Sequence, residues 1–183
     1  DGSPDIARDL GATVVTCAQR GYGAACHAGL EAAGADIVAF CDCDASVDPA
    51  DLPALIAPVA ADAADLVVGR RRPTGRGSWP LHARIANLEL ARQVRRRTGL
   101  PLRDLGPVRV ARRTPLLGLG IADRRSGYPL ETVLRAARAG WRVEGRDVAY
   151  APRTGKSKVT GTARGTIQAV RDMRAAFAAV EAA

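Results

Sequence analysis

A short apolar segment that ends in two carboxylates places the strongest constraint on how this chain can fold. Residues 37–40 read Ile-Val-Ala-Phe and predict a buried strand, and Asp42 and Asp44 follow it. Side chains two residues apart on an extended backbone point the same way, so both carboxylates can face one spot. Such a spot, beyond the carboxyl end of a strand in an α/β sheet, suits Mg²⁺ or Mn²⁺. The alternative is that the acids only cap the following turn.

The composition is that of one globular domain, spanning residues 1–183. Hydrophobic residues make up 47% of the chain and charged residues 25%, which is ordinary for a folded protein. No apolar run approaches the roughly 20 residues that span a bilayer, and no signal-peptide pattern opens the chain. The sequence therefore predicts a cytoplasmic protein.

The chain is strongly basic, with a net charge of +8. Such a charge serves nucleic acid, anionic lipid or phosphorylated substrates. The arginines are scattered and rarely lie beside aromatic residues, so we expect no nucleic-acid partner. A non-catalytic basic binding module remains the alternative from a different functional class.

Strand and helix patterns alternate along the chain and predict an α/β fold with a mostly parallel sheet. Gly and Pro mark the ends of the predicted helices between the strands. A helix follows the opening loop at once, so we expect the fold to lack its first strand here and the domain to be N-terminally incomplete. The predicted strands are residues 12–17, 37–40, 65–69, 107–112 and 141–150.

Two basic loops and one glycine pair are candidate phosphate-binding segments. The loops, 70–78 and 153–158, follow predicted strands and combine cations with Gly and hydroxyl residues. Gly21 and Gly23 precede a helix, where backbone can approach a phosphate, although the third glycine of a dinucleotide site is absent. The alternatives are that the two loops are solvated connectors and that the two glycines only mark the ends of helices. The last helix, 163–180, has an apolar stripe that packs on the domain or lies on a membrane surface.

Two families with the D-x-D pattern fit less well than a third. An EF-hand is excluded, because Val47 stands where its loop needs Gly. A haloacid-dehalogenase-like phosphatase would use Asp42 as a nucleophile. That family normally begins with this strand and adds a downstream acidic pair, so it remains the alternative.

The sequence resembles family 2 glycosyltransferases of the GT-A fold, especially dolichyl-phosphate-mannose-synthase-like polyprenyl-phosphate glycosyltransferases. The resemblance follows the family's motif order over almost the whole chain. Ser46 departs from it, because relatives often carry Gln there as a further metal ligand. The matching segments are 1–5, 21–25, 42–44, 68–71, 104–107, 127–131 and 153–158.

The resemblance implies a metal-dependent, inverting sugar transfer from a nucleotide-diphosphate sugar to polyprenyl or dolichyl phosphate or a similar acceptor. It implies Mg²⁺ or Mn²⁺ on Asp42 and Asp44, and peripheral contact with the inner face of a membrane. Asp44, Glu131 and Asp104 are the candidate catalytic residues, the two last as bases if the acceptor is a hydroxyl. The candidate nucleotide-sugar residues are Asp1, Gly2, Ser3, Gly21, Gly23 and Asp42. The candidate phosphate-binding residues are Arg71, Arg153, Lys156, Ser157 and Lys158.

Overall fold

The computed structural model describes residues 2–155 and 163–182. Helices and strands are interspersed along these segments, and at two places one helix follows another without a strand between them. The strands are β1 (Ile37–Phe40), β2 (Leu66–Pro73), β3 (Arg109–Arg112) and β4 (Val143–Tyr150). The helices are α1 (Ser3–Asp9), α2 (Tyr22–Ala32), α3 (Leu52–Ala60), α4 (Leu81–Thr98), α5 (Arg113–Gly118), α6 (Tyr128–Arg138) and α7 (Ala163–Ala182), with a 3₁₀ turn at Pro49–Asp51.

The four strands form one sheet in the order β1-β3-β2-β4. β3 is antiparallel to both β1 and β2, whereas β2 and β4 are parallel. The predicted α/β class is confirmed, but the sheet is mixed instead of mostly parallel. Reversal of β3 leaves β1, β2 and β4 running in one direction, so their carboxyl ends reach the same edge. The segments that follow these three strands, including the acid pair and both basic loops, therefore start at that edge.

The predicted strand at 12–17 is wrong. These residues follow α1 without strand pairing in the described part of the chain, and Thr13 and Val15 are exposed. Their β-branched side chains favour extended backbone, but a strand also needs a paired neighbour and a buried face. Local β-strand propensity alone provides neither the paired neighbour nor the buried face.

The first basic loop is shorter than predicted, because β2 continues to Pro73. Its last four residues pair with the end of β4, in the register Arg70↔Asp147 to Pro73↔Tyr150. Asp147 pairs with both Arg70 and Arg72 across the strands. This cross-strand charge pairing explains how a run of arginines is accommodated in a strand.

The sheet is covered on both faces, which fixes it in the middle of the molecule. Alternate residues of β2 point to opposite sides: Leu66 and Val68 belong to the cluster that includes α6 and α7, and Val67 to the cluster with α3. All three are at most 1% exposed. Burial of such side chains contributes roughly 1.5–3 kcal/mol each. Among the helices described, none has the length and apolarity needed to cross a membrane.

Candidate active site

The turn after β1 holds Asp44 in a defined position. The Ser46 N–H donates to Asp44 Oδ1 at 3.1 Å, and the Thr154 N–H donates to the Asp44 carbonyl at 2.8 Å. Ala45, between these contacts, has a left-handed φ of 59°. The acid pair is thus tied to the segment that follows β4, which is the start of the second basic loop.

Positive charge approaches this acid turn but does not fully compensate it. Arg153 Nη2 lies 2.8 Å from Asp44 Oδ2. The pKa of Asp42 is raised by partial burial and then by the Asp44 charge, with Arg109, Arg153 and Arg71 pulling it the other way. The site therefore favours an additional cation beside Asp42.

The donor set fits a hard divalent cation that is shared with a phosphate ligand. Asp42 and Asp44 provide carboxylate oxygens, and Ser46, with no exposed surface, has a hydroxyl without a hydrogen-bond partner in the described residues. No group of three or more His, Cys, Asp or Glu that could hold a metal occurs in those residues. One or two carboxylates completed by water and phosphate oxygens are the usual ligands of Mg²⁺ in nucleotide enzymes.

Arg71, at the same sheet edge, is held by the side chains around it. Its Nε and Nη2 donate to the two oxygens of Asp104 at 3.0 and 2.7 Å, and its backbone N–H donates to Oδ2 at 2.7 Å. Nη2 also donates to Asn87 Oδ1 at 3.2 Å. The guanidinium carbon lies 3.9 Å from the centre of the Trp79 ring and 5.6 Å from that of Tyr150. These contacts fix the plane of a guanidinium that remains partly exposed.

Asp104, a candidate base, uses its carboxylate to hold Arg71. Its side chain is only 2% exposed. Asn87 reinforces the arrangement, since its Oδ1 also accepts the Leu105 N–H at 3.2 Å and so joins α4 to the 104–107 segment. A catalytic role for Asp104 stays a prediction, and the contacts observed are those of a positioning residue.

The carboxylate of Glu131, the other candidate base, is also bound by several donors. It is 1% exposed, and its carboxylate accepts the N–H groups of Ala122 and Asp123 at 3.0 and 2.6 Å and Arg135 Nε at 2.5 Å. Burial alone would raise the pKa of Glu131, but these donors outweigh it and lower the pKa. A carboxylate with a lowered pKa is a weak base, so its predicted catalytic role gains no support from its surroundings.

Gly21 and Gly23 let a loop pack against the start of α2. A Cβ on Gly21 would lie 2.1 Å from the Arg124 carbonyl oxygen, and one on Gly23 would lie 2.7 Å from Tyr128 Cβ. The Gly23 N–H donates to the Arg125 carbonyl at 3.0 Å, and is therefore occupied. Nucleotide binding by the two glycines stays a prediction, while the structure gives them a packing function.

The family follows from a comparison with known sequences. Residues 1–117 match the sequence model described as Glycosyl transferase family 2. The chain belongs to glycosyltransferase family 2. It therefore carries a glycosyltransferase domain, and this overturns both the phosphatase alternative and the non-catalytic binding module.

Two similar proteins are also glycosyltransferases. An uncharacterized glycosyltransferase of Mycobacterium tuberculosis is 51% identical over 173 residues, covering 94% of this chain and 79% of the relative. A dolichyl-phosphate hexose transferase of Haloferax volcanii is 29% identical over 165 residues, covering 90% and 72%.

The solved structures support the fold. Glucosyl-3-phosphoglycerate synthase of Mycobacterium tuberculosis, in complex with Mn²⁺, uridine diphosphate and phosphoglyceric acid, superposes with a TM-score of 0.72 at 22% identity. The match covers 98% of this chain and 63% of that one, so the chain spans less than two thirds of the solved protein. At this identity the likeness establishes the GT-A fold alone.

Several predicted site residues are not brought to the acid pair by the described structure. Gly2 and Ser3 lie at the exposed start of α1, a helix that buries none of its residues. Asp1, Lys156, Ser157 and Lys158 lie outside the described residues. Roles for these residues stay predictions.

Sequence reasoning missed a buried cation beneath the acid turn. Arg109, 3% exposed, is paired with Phe40 at the end of β1 and donates through Nη2 to the Tyr22 hydroxyl at 2.8 Å. Burial raises the pKa of Tyr22 to about 12, so the phenol stays protonated. An arginine within a predicted strand was the available signal, because the charge of a buried Arg must be compensated nearby.

Proposed function

We propose that this glycosyltransferase moves a sugar, with inversion, from a nucleotide-diphosphate sugar to the phosphate of a polyprenyl or dolichyl phosphate. The observation that carries the proposal is the placement of two sites at one sheet edge. The acid turn with Arg153 is suited to a metal-bound diphosphate, and Arg71 is oriented for a second phosphate. The similarity to a dolichyl-phosphate hexose transferase supports the acceptor class.

On the donor side, Asp42 and Asp44 would hold Mg²⁺ or Mn²⁺. The bound ion would supply positive charge that stabilises the leaving diphosphate. Arg153, which pairs with Asp44, is placed to bind the diphosphate oxygens, and Lys156, Ser157 and Lys158 would add further contacts to them. We assign the nucleoside end of the donor to the segments around Asp1, Gly2, Ser3, Gly21 and Gly23.

On the acceptor side, the state of the two candidate bases favours a phosphate nucleophile. A phosphate monoester has a second pKa near 6, so it is ionised at pH 7 and needs no base. A hydroxyl acceptor would need one. Asp104 and Glu131 are both bound to arginines. We therefore assign Arg71 to the acceptor phosphate and Asp104 to the positioning of Arg71.

A polyprenyl acceptor resides in a membrane, so the proposal includes peripheral contact with the inner face of a bilayer. Phosphoglycerate, the ligand in the solved neighbours, is also a phosphate monoester and would satisfy the same Arg71 site. The choice between these acceptors is an outcome of the test.

The test is a transfer assay on the full chain with Mn²⁺, a panel of UDP- and GDP-sugars, and three acceptors: polyprenyl phosphate, phosphoglycerate and the free polyprenol. We expect product on polyprenyl phosphate and none on the alcohol. Asp44→Asn keeps the Oδ1 acceptor for Ser46 but removes the charge, and should lower transfer at least about 100-fold. Asp48→Asn is the matched control, since Asp48 makes the same kind of contact, to the Ala50 N–H, four residues away.

Two results would contradict the proposal. Undiminished transfer by Asp44→Asn in the presence of EDTA would exclude the metal on the acid pair. Transfer to phosphoglycerate with none to polyprenyl phosphate would replace the acceptor and leave the donor site standing.

A further inference from the structure

Two helices expose rows of large apolar side chains. On α4, Leu81, Ile85 and Leu88 are 69%, 59% and 59% exposed, and their spacing of four and three residues places them on one face. On α7, Ile167 and Val170 are 55% and 44% exposed. Single exposed apolar residues are ordinary, but rows on two helices mark an interaction surface. We call these five residues the two-helix face.

The two rows lie at corresponding ends of their helices. Near the C-terminal ends, Arg97 Nε of α4 donates to Glu181 Oε1 of α7 at 2.8 Å, and the Arg97 guanidinium lies 4.4 Å from the centre of the Phe177 ring. α4 and α7 run in the same direction, because Asn87 of α4 contacts Arg71 and Asp172 of α7 contacts Ser126, both towards the sheet edge of the acid pair, while Arg97 and Glu181 meet at the other ends. Both rows belong to the N-terminal halves and so share the opposite end.

That opposite end is the edge of the sheet that carries the site. Asn87, which lies between Ile85 and Leu88 in sequence but turns its side chain towards the domain, contacts Arg71 at the carboxyl end of β2. On α7, Asp172 accepts the Ser126 N–H just before α6, at 3.3 Å. Ser126 follows the Arg124–Arg125 backbone, which packs on the start of α2 beside the acid turn. The N-terminal halves of α4 and α7 therefore lie towards the sheet edge that carries the acid pair, and the two-helix face lies on their exposed side.

We propose that the two-helix face binds the surface of an anionic bilayer and holds the sheet edge that carries Asp42 and Asp44 against it. The proposal rests on the proposed function for its biological use, because it brings Arg71 to the depth of a lipid phosphate. Exposed arginines accompany both rows: Arg84, Arg92 and Arg96 on α4 and Arg171 and Arg174 on α7. Apolar side chains flanked by cations are typical of helices that lie in a membrane interface.

Charge decides between a bilayer and a second copy of this chain. A two-fold interface through the two-helix face would bring the same arginines of both copies together, and like charges at an interface oppose association. Anionic lipid headgroups neutralise them instead. The net charge of +8 adds a general attraction to such a surface.

The experiment measures binding of the full chain to vesicles that contain no polyprenyl phosphate. One set is phosphatidylcholine alone, and the other contains about one third phosphatidylglycerol. We expect binding to the anionic vesicles and at least about tenfold weaker binding to the neutral ones. The triple variant Leu81→Ser, Ile85→Ser, Leu88→Ser should weaken anionic binding at least about tenfold.

The matched control removes exposed apolar residues elsewhere. Ile6 and Leu10 are 61% and 82% exposed on and after α1, and Ile6→Ser with Leu10→Ser should leave binding unchanged. Arg171→Gln with Arg174→Gln should reduce the preference for anionic lipid without changing the apolar row. All substitutions are at exposed positions, and matching thermal unfolding curves would verify the folds.

Three results would overturn the proposal: no binding of the unaltered chain to anionic vesicles, equal loss in the Ile6 and Leu10 variant, or a dimer that the triple variant dissociates. Transfer to a short-chain, water-soluble prenyl phosphate separates this inference from the proposed function. If the membrane proposal alone is wrong, that transfer persists although the vesicles do not bind. If the acceptor assignment is wrong, the vesicles bind and that transfer is absent.

Discussion

Arg71 illustrates how neighbouring side chains fix the orientation of one guanidinium. Asp104 and Asn87 fix two of its nitrogens, and Trp79 covers one face of the guanidinium. A cation held in this way loses little rotamer freedom on binding, and this improves affinity for a planar or tetrahedral oxyanion. The Asp104 carboxylate also offsets the positive charge of Arg71.

Asp104→Asn tests whether Asp104 positions Arg71 or removes a proton. Asn keeps one oxygen acceptor but removes the charge, so we expect KM for the phosphate acceptor to rise about tenfold with kcat changed less than about threefold. Steady-state kinetics with varied acceptor measure this. Asp147→Asn is the control, since Asp147 pairs with other arginines of the same strand. A fall of 100-fold or more in kcat, with KM unchanged, would instead indicate a base.

Glu131→Gln tests the second candidate base through stability. The substitution leaves Arg135 without its carboxylate and weakens the bonds to the 122–123 backbone. Breaking a buried charge pair from one side costs about 3 kcal/mol, so the free energy of unfolding in urea should fall by about that amount. Glu144→Gln, at an exposed pair with Arg146, should have no measurable effect. Lost transfer with unchanged stability would favour a catalytic Glu131.

Helix α2 shows, at the scale of an element, how the loop before α6 is brought to the site. Its first turn contains Gly23, which admits the Arg124 backbone, and Tyr22, which contacts Arg109. Glu131 holds the same loop from the other side through Ala122 and Asp123. The loop is thus fixed by two helices that the sequence places a hundred residues apart.

Gly23→Ala should disturb this junction, whereas Gly29→Ala on the same helix should not. A Cβ at position 23 would lie 2.7 Å from Tyr128 Cβ and 2.8 Å from the Arg124 carbonyl carbon, so we expect destabilisation of about 1–3 kcal/mol. A Cβ at position 29 meets nothing within 4 Å, and Ala there should stabilise the helix by up to about 1 kcal/mol. Thermal and urea unfolding compare the two variants. Equal effects would contradict the packing function of Gly23.

Elements with a local signal could be predicted, and contacts between distant segments could not. The strand at 37–40 is confirmed, and the last helix, predicted at 163–180, is observed at Ala163–Ala182, because hydrophobic periodicity and end residues specify such elements. The strand at 12–17 failed since pairing is a tertiary property. Likewise, the bond between Arg71 and Asp104 joins residues 33 positions apart and leaves no trace in either local pattern.

At the scale of the whole molecule, acidic and basic side chains meet at one sheet edge. β1, β2 and β4 run in one direction, so the acid turn, the β2 arginines and the segment at Arg153 all lie at that edge. Elsewhere, Arg–Asp pairs such as Arg142 with Asp65 join strand ends to neighbouring loops. A protein with this many paired carboxylates depends on their ionisation for part of its stability.

Stability should therefore fall in acid. The hydrogen bond from Arg70, together with that from Arg72, lowers the pKa of Asp147 to about 2, and the pKa values of Asp65 and Glu131 are also lowered. A carboxyl group with a lowered folded-state pKa stabilises the fold above its unfolded pKa of about 4 and loses this contribution as the pH falls through the folded value. We expect the carboxylate contribution to the free energy of unfolding to decline between about pH 4 and 2.

Urea unfolding at a series of pH values measures this decline, and Asp147→Asn identifies one of its sources. The variant should be slightly less stable than the unaltered chain at pH 7, since a pair with a 43% exposed carboxylate contributes no more than about 1 kcal/mol. The difference between the two proteins should shrink as the pH approaches 2, where the Asp147 charge is lost from both. A difference that stays constant, or grows in acid, would show that Asp147 acts through packing, and the charge-paired strand ends would then not account for the acid sensitivity.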